Sequence, residues 1–557
     1  MARREAAIAV NRFGLGAAPG ELDLAAANPK RWLLEQLDSR STTPRQFSGF
    51  PSSVDHMKNY YARYMTIGPE VRRRQAEAKR SGDQAAIDKS AADGERLLRG
   101  YVAWVNEMLG LEWAARTNVA LTTQTPFHER LVRFWSNHLV VPAIKQPSTI
   151  SVGTYEREAI RPHVNGKFAD MLMASAKHAG MLIFLDNNIS IGPNSPAAKR
   201  TGRGLNENLG REILELHTLG VEGGYDQDDV IALALGITGW STAHYLPSNL
   251  IRDKVSPSEA PNGPYAFAYY DDWHEPGPIK LMGKTYQPKG LAQGEEMLND
   301  LVRHPNTARY LATKLARHLV SDTPPQSLVE RMAAAYLAKD TDLAEMTRVL
   351  VEAPEPWDGA LAKLKQPEDY TVSTLRALGL TLASDRVPAP KLYEFDAYRP
   401  VRTMWGGSRA EPSVLVGPLA ESAMSAPEPD MDAGMDATME GGMQARAGTP
   451  QAQAYREVVA IYQSVAAMGQ RPMGAPGPQG WYDRISDWSG ADSILKRIEW
   501  SVALSAAHAD KVPDARDFLD TTLGDLAGDD LRTEVSRAAT REQGLSLVLA
   551  STEFQRR

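Results

Sequence analysis

The segment richest in groups able to do chemistry is GLNENLGREILELHTLGVEGGYDQDDVIALALGITGW, residues 204–240. Glu207, Asn208, Arg211, Glu212 and Glu215 recur there at spacings of three and four, which gathers them on one helix face. Leu209, Ile213, Leu216 and Leu219 make the apolar stripe opposite. Carboxylates one turn apart perturb each other's ionisation, and a neighbouring Arg and His adjust it further, as general acid and base catalysis requires. The same residues also make a plain solvated face braced by Glu207–Arg211 and Arg211–Glu215 pairs, each contributing about 0.2–0.5 kcal/mol. His217 sits near the helix end, where the dipole favours a cation. The spacing of Glu212, Glu215 and His217 fits neither H-E-x-x-H nor the E-x-x-H of di-iron bundles, so no metal and no other cofactor is expected.

Other constellations lie on either side. HERLVRFWSNHLVV puts Arg133, Asn137 and His138 in one stretch of helix beside the core anchors Phe134 and Trp135. TYEREAIRPH brings Glu156, Arg157, Glu158, Arg161 and His163, which also read as a salt-bridged helix surface. FLDNNISIGPNS ends an apolar approach in Asp186, Asn187 and Asn188 before a Gly-Pro turn. DDWHEPGPIKLMG supplies Asp271, Asp272, Trp273, His274 and Glu275, the material of a lid with an aromatic platform. In ATKLARHLVSDTPP, Lys314, Arg317, His318 and Asp322 read as surface charge before a Pro stop. His178 and His508 read as structural.

The elements that must position these groups are helical. Val, Ile and Thr seldom alternate, so a mainly α, multi-helical, hairpin-rich globular fold with long loops is expected, with at most a small β-hairpin near PIKLMGKTY. Asn206 and Asn208 suit a helix start, Gly220 and the Gly223–Gly224 pair end that helix, and Asp226 with Asp229 opens the next. The expected regions are an N-terminal helical region 1–100, with a solvated helix pair after residue 40, and a central helical core 101–350. A helical connector 351–421, a low-complexity and disordered insertion 422–452, and three or so C-terminal helices in 453–557 packing on the core follow. Met431, Met435, Met439 and Met443 fall four apart in the insertion, but the glycines between them argue against a helical Cu(I) face.

The chain of 557 residues is long enough for two or three compact units. Its 62 Lys and Arg against 69 Asp and Glu give no excess of positive charge for nucleic acid. No stretch of about 18 apolar residues is present to insert in a membrane. The absence of Cys removes disulfides, thiolate metal sites and thiol nucleophiles. No export signal is visible; a soluble chain is expected, periplasmic or extracellular if such a signal has been removed and cytoplasmic otherwise.

The RFWSNH, YEREAIRPH and FLDNN segments, the 204–240 block, HEPGPIKLMG, KLARHLVSDTPP and the terminal STEFQRR together resemble the bacterial domain-of-unknown-function 1800 family, from about Ala7 to Arg557. The resemblance implies a mostly helical fold and marks Asn206, Glu207, Asn208, Arg211, Glu212, Glu215, His217, Tyr225, Gly239 and Trp240 as signature positions. It brings no established reaction. Family members are often exported, and their genes often neighbour a second uncharacterised family that looks like the alkaline phosphatase fold. The resemblance therefore implies envelope or extracellular polymer work, with a protein of that fold as a partner.

From these residues the expectation is a hydrolase acting on a polysaccharide or related envelope polymer, a glycoside hydrolase being its narrower form. Glu207, Glu212 and Glu215 would supply acid, base or nucleophile, Arg211 and His217 would set their ionisation, and Trp240 and Trp273 would stack on the substrate. Carboxylates three apart on one helix lie too close to flank a bond, so one of them pairs more naturally with Glu156, Asp186 or Asp271. Asn137, His138, Arg157, Asn206, Asn208, Tyr225 and His274 complete the expected contacts. Two other readings compete: a non-catalytic scaffold whose charged cluster locks helices together, and a metal-dependent oxidoreductase using His138, Glu212 and His217.

Overall fold

The computed structural model describes residues 2–38, 43–145, 148–242, 257–261, 265–359, 361–382, 450–511 and 514–557. The reading of 422–452, with its four methionines, lies outside these as far as residue 449; Pro450–Ala467 is a helix.

The fold is mainly α. Ser52 and Asp55 form a capping box that starts the helix Ser53–Ser81, Gly82 turns the chain in a left-handed conformation, and Asp83 caps the helix Gln84–Thr122. These two helices are the expected hairpin. The second runs unbroken through residues 100 and 101, so the border expected there falls inside one helix. Farther on, the helices Pro305–Leu319, Gln326–Ala338 and Leu343–Glu352 pack in succession. The first of them buries Ala308, Leu311, Ala312, Leu315 and Leu319 at helical spacing and turns Lys314 and Arg317 to another side.

Strand content is confined to two antiparallel pairs among the described residues. β3 (Ile279–Leu281) and β4 (Lys284–Tyr286) form the expected hairpin, closed by Met282 and Gly283 with φ of 48° and 80°, the backbone of a type I′ turn. β1 (Trp240–Thr242) and β2 (Phe267–Tyr269) pair across a long connection that the pattern of single residues did not reveal.

One large apolar core runs from Ile8 to Trp357, and a second gathers the C-terminal helices around Tyr370, Phe518 and Leu549. The helix Pro367–Ala377, buried along almost its whole length, puts Tyr370 and Ala377 in the second core and Val372 and Leu375 in a smaller third one with Leu15 and Trp113. Five C-terminal helices of eight residues or more are described, more than the three expected. The two chain ends are tied in: Asn11 Nδ2 donates to Thr522 O at 3.0 Å, and Lys363 and Arg557 exchange backbone hydrogen bonds at 2.9 and 2.7 Å. No helix of the described residues is long and apolar enough to cross a membrane.

Candidate active site

A cavity of about 550 Å³ opens where six separated stretches of chain meet. They are the end of the helix Gln84–Thr122, the helix Pro126–His138, the segment around Glu156, the helix Pro305–Leu319, and the start of the helix Pro367–Ala377 with the 470–487 loop against it. This volume is in the range of sites that enclose a small ligand.

The helix Pro126–His138 explains why the wall is charged. Phe127, Leu131, Val132, Phe134 and Trp135 surround it with apolar contacts, so Arg130 and Arg133 are drawn inside and must find partners there. Arg130 pairs with Asp369 at 2.5 Å, and Arg133 lies 3.2 Å from Glu368. Arg116 bridges Glu156 at 2.6 Å and Glu368 at 2.8 Å, while Arg161 reaches Glu156 at 3.0 Å from behind. Although burial pushes the Glu156 carboxyl up, Arg116 and Arg161 outweigh it and hold it down at about 2. Asp369 is likewise kept ionised against burial by Arg130 and Arg557.

On the helix Pro305–Leu319, Lys314 and His318 are four residues apart and both line the cavity. His318 Nδ1 lies 2.8 Å from Asp483 Oδ2, and Arg557 Nη2 donates to Asp483 Oδ1 at 3.0 Å. The carboxylate makes Nδ1 the protonated nitrogen and leaves the buried Nε2 with a lone pair and no partner. Burial, with Arg557 beside it, pushes His318 down to about 4 despite Asp483, so the imidazole is neutral at pH 7. Burial, reinforced by Arg317 and opposed by Asp483, pushes the Lys314 ammonium down to about 8. His138 Nε2 donates to His217 O at 3.1 Å, which leaves Nδ1 buried without a donor.

Asn137 fixes the other wall: Nδ2 donates to Trp481 O at 2.9 Å and Oδ1 accepts from Trp481 N at 2.7 Å. Gly480 just before it has φ of 75°, and a Cβ there would stand 2.3 Å from Asn137 O, so only glycine fits. Phe134, Val141, Met473 and Trp481 supply the apolar part of the lining.

Of the residues expected from the sequence, Asn137, His138 and Glu156 line the cavity. The signature cluster lies outside it. After Asn208–Glu212 the helix widens into a π turn, Ile213–Thr218, which changes the register: Leu214 and His217 are buried and Leu216 is not, against the stripe that a regular helix implied. His217 becomes a buried neutral ring behind His138, its pKa pushed down to about 3 by burial and Lys314. Glu212 and Glu215 stay half-buried on the outer side, and burial with Glu215 nearby pushes Glu212 up to about 7. Glu207 pairs with Arg211 at 3.1 Å, Gln227 bridges both, and Tyr225 lies against Glu215. The exposed Asn208 donates its amide to Asn206 Oδ1 at 2.9 Å, a local turn contact. Tyr310 connects the regions, donating to Leu216 O at 3.2 Å with its ring 6.2 Å from that of His138.

Several expectations are corrected. Trp240 and Trp273 are both fully buried, Trp273 stacked on Tyr270 at 4.5 Å, so neither has a face for a substrate. His274 is buried between Thr238 O and Gln293 Oε1, at 3.0 and 2.9 Å. Arg157 pairs with Glu112, donates to Pro51 O and covers Phe47 and Phe50, a clamp on the N-terminal segment. Asp186, in a left-handed turn, pairs with Lys145 at 2.6 Å away from the cavity lining. Lys314 and His318, read as surface charge, are cavity residues. Among the described residues no three His, Asp or Glu side chains are grouped to hold a metal, so His138, Glu212 and His217 make no ligand set.

Arg116, Arg130, Glu368, Asp369, Trp481 and Asp483 were not singled out from the sequence. The helix Pro126–His138 gathers Glu129, Arg130, Arg133, Ser136 and Asn137 on one stripe opposite Phe127, Leu131, Phe134 and Trp135, the pattern of a solvated helix face, and only the fold shows that Glu129, Arg130 and Arg133 are buried.

The model of a family described as "Protein of unknown function (DUF1800)" matches residues 8–556. No curated protein and no solved structure matches the chain.

Proposed function

The chain belongs to the DUF1800 family, whose function is unknown, and we propose that it is a hydrolase acting on a polysaccharide or related envelope polymer, with the cavity as its active centre. The observation that carries the reading is the set of buried polar atoms left unpaired around one cavity: Arg133 Nη2, His138 Nδ1 and His318 Nε2. A scaffold gains from pairing such groups, and each unmade hydrogen bond costs about 1–3 kcal/mol. Unpaired buried atoms occur elsewhere too, as at both His56 nitrogens; what supports a ligand site is that these three belong to residues lining one cavity.

The chemistry follows from their states. His318, oriented by Asp483 and neutral at pH 7, accepts the proton of an attacking water through Nε2. The Lys314 ammonium, brought close to neutrality, gives its proton to the leaving oxygen. Glu156 and Asp369, held ionised by arginines, steady the cationic charge that develops on a sugar ring as its bond breaks. Trp481 at the cavity takes the stacking role expected of Trp240 and Trp273.

The test is release of reducing ends from a panel of envelope polysaccharides. Wild-type protein cleaves a member of the panel, His318→Gln loses at least a hundredfold in kcat, and Glu212→Gln stays within a fewfold. Loss on Glu212→Gln with His318→Gln unaffected moves the chemistry to the outer cluster, and a folded wild type that cleaves none of a broad panel removes the hydrolase reading.

A further inference from the structure

We infer that the unit bound in this cavity carries a negative charge, a carboxylate or a phosphate on a sugar ring, held by Arg133 and Arg317 beside Lys314. The inference rests on the reading of the cavity as the substrate site.

It comes from tracing each charge of the wall to its partner. Every lining carboxylate is already engaged: Glu156 by Arg116 and Arg161, Glu368 by Arg116 and Arg133, Asp369 by Arg130 and Arg557, and Asp483 by His318 and Arg557. Asp487, exposed at the rim, accepts the amide of Arg484 at 2.8 Å. The cations are not all engaged. Among the described residues no carboxylate lies within ion-pair distance of Lys314 or Arg317, and Arg317 reaches only Asp322 O at 3.3 Å. Arg133, more than nine-tenths buried, has Nη1 on Glu368 and Nη2 with no acceptor.

Lys314 and Arg317 have no counter-ion, and Arg133 shares Glu368 with Arg116, so three cations on one cavity are under-compensated and each also repels the others. A neutral sugar offers only hydroxyl dipoles to relieve this. An anion relieves it directly, and a guanidinium fits a carboxylate or phosphate through two parallel hydrogen bonds. The apolar wall of Phe134, Val141, Met473 and Trp481 leaves a place for the ring that carries the anion. Glucuronate and glucose 6-phosphate are the two simplest representatives, one for each source of charge.

The experiment is calorimetric titration of the full chain with glucuronate, glucose 6-phosphate and glucose at low salt, on wild type and on Arg317→Gln. Arg317 is only half-buried and makes no ion pair, so its substitution leaves the fold intact; Arg133→Lys, which keeps the charge next to Glu368, is the second variant. At least one of the acidic sugars binds tenfold or more tighter than glucose, and both variants weaken it by tenfold or more. Which acidic sugar binds distinguishes carboxylate from phosphate. Equal binding of glucose and both acids, no binding of either acid to folded protein, or unchanged affinity in both variants overturns the inference. The two proposals fail separately: acid binding without cleavage of any polymer removes the hydrolase and leaves the anion site, and cleavage of a neutral polymer with no preference for acids does the reverse.

Discussion

The cavity wall and the outer face between Glu207 and Tyr225 are built from the same residue types under opposite conditions. On the outer face, the Glu207–Arg211 pair is half-exposed and one turn apart on a single helix, where water already solvates both charges. In the wall, Arg130, Asp369 and Arg557 come from three distant places in the chain and are almost fully enclosed. Removing one partner outside returns the other to water, and removing one inside strands a buried charge. The charges most conspicuous in the sequence are therefore the least consequential for stability, and those that fix the site include pairs such as Arg130–Asp369 and Arg116–Glu368 whose partners lie more than two hundred residues apart.

The contrast is broken most strongly by Asp369→Ala. It leaves Arg130 and Arg557 without their shared carboxylate and is expected to cost about 3–5 kcal/mol in urea unfolding. A cost below about 1 kcal/mol would place the wall and the outer face in the same class.

Acid comes next. His56, His138, His217 and His318 are all held below the ordinary value by burial. A depressed folded-state pKa means that the unfolded chain takes up the proton first, so the stability is present above about 6.5 and is lost as pH falls through about 4, where His56 and His318 titrate. Each contributes up to about 3 kcal/mol as an upper bound. Urea midpoints at pH 7 and pH 5 check this: the midpoint falls at pH 5, and an unchanged midpoint shows that the rings are not held neutral.

Glu212 has the opposite sign. Its carboxyl is pushed up to about 7 by burial and by Glu215, so the stability it contributes is present below about 4.5 and is lost as pH rises through about 7. Glu212→Gln removes that loss. After allowance for its exposure, the variant should be more stable than wild type at pH 8 by about 1 kcal/mol and equal to it at pH 4.5, as read by thermal melts at both pH values. The smallest effect is expected from Glu207→Gln, about 0.2–0.5 kcal/mol for an exposed pair one turn apart. Melts beside Asp369→Ala supply the other end of the scale.

Where information was local, the sequence could be read. The capping box of Asp226 and Asp229, the glycine stops at Gly220 and Gly224, the β3–β4 turn and the long helical hairpin all follow from neighbours a few residues apart. The turn at Ile213–Thr218 was not legible, because a π turn breaks the 3.6-residue period from which buried and exposed faces are read, and it exchanged Leu216 for Leu214 and His217. Trp240 and Trp273 were placed by residue type alone, and type does not distinguish an aromatic platform from a core ring. Of the site, Asn137, His138 and Glu156 were found because their motifs are compact. Asp369 and Asp483 were missed because each is an ordinary acidic residue until the fold brings an arginine or a histidine to it.

The cavity, on this reading, keeps uncompensated charge for a ligand at a cost to stability. The most direct test is the thermal unfolding of Lys314→Met beside wild type at pH 7, since methionine keeps much of the stem and removes a charge that has no counter-ion, its one compensating contact among the described residues being the Tyr310 ring 5.5 Å away. The expected result is a higher midpoint for the variant, corresponding to about 1 kcal/mol of added stability, because burial already disfavours the ammonium enough to bring it down to about 8. A midpoint lowered by as much would mean that Lys314 holds the structure together, and would contradict the reading of the cavity as a site.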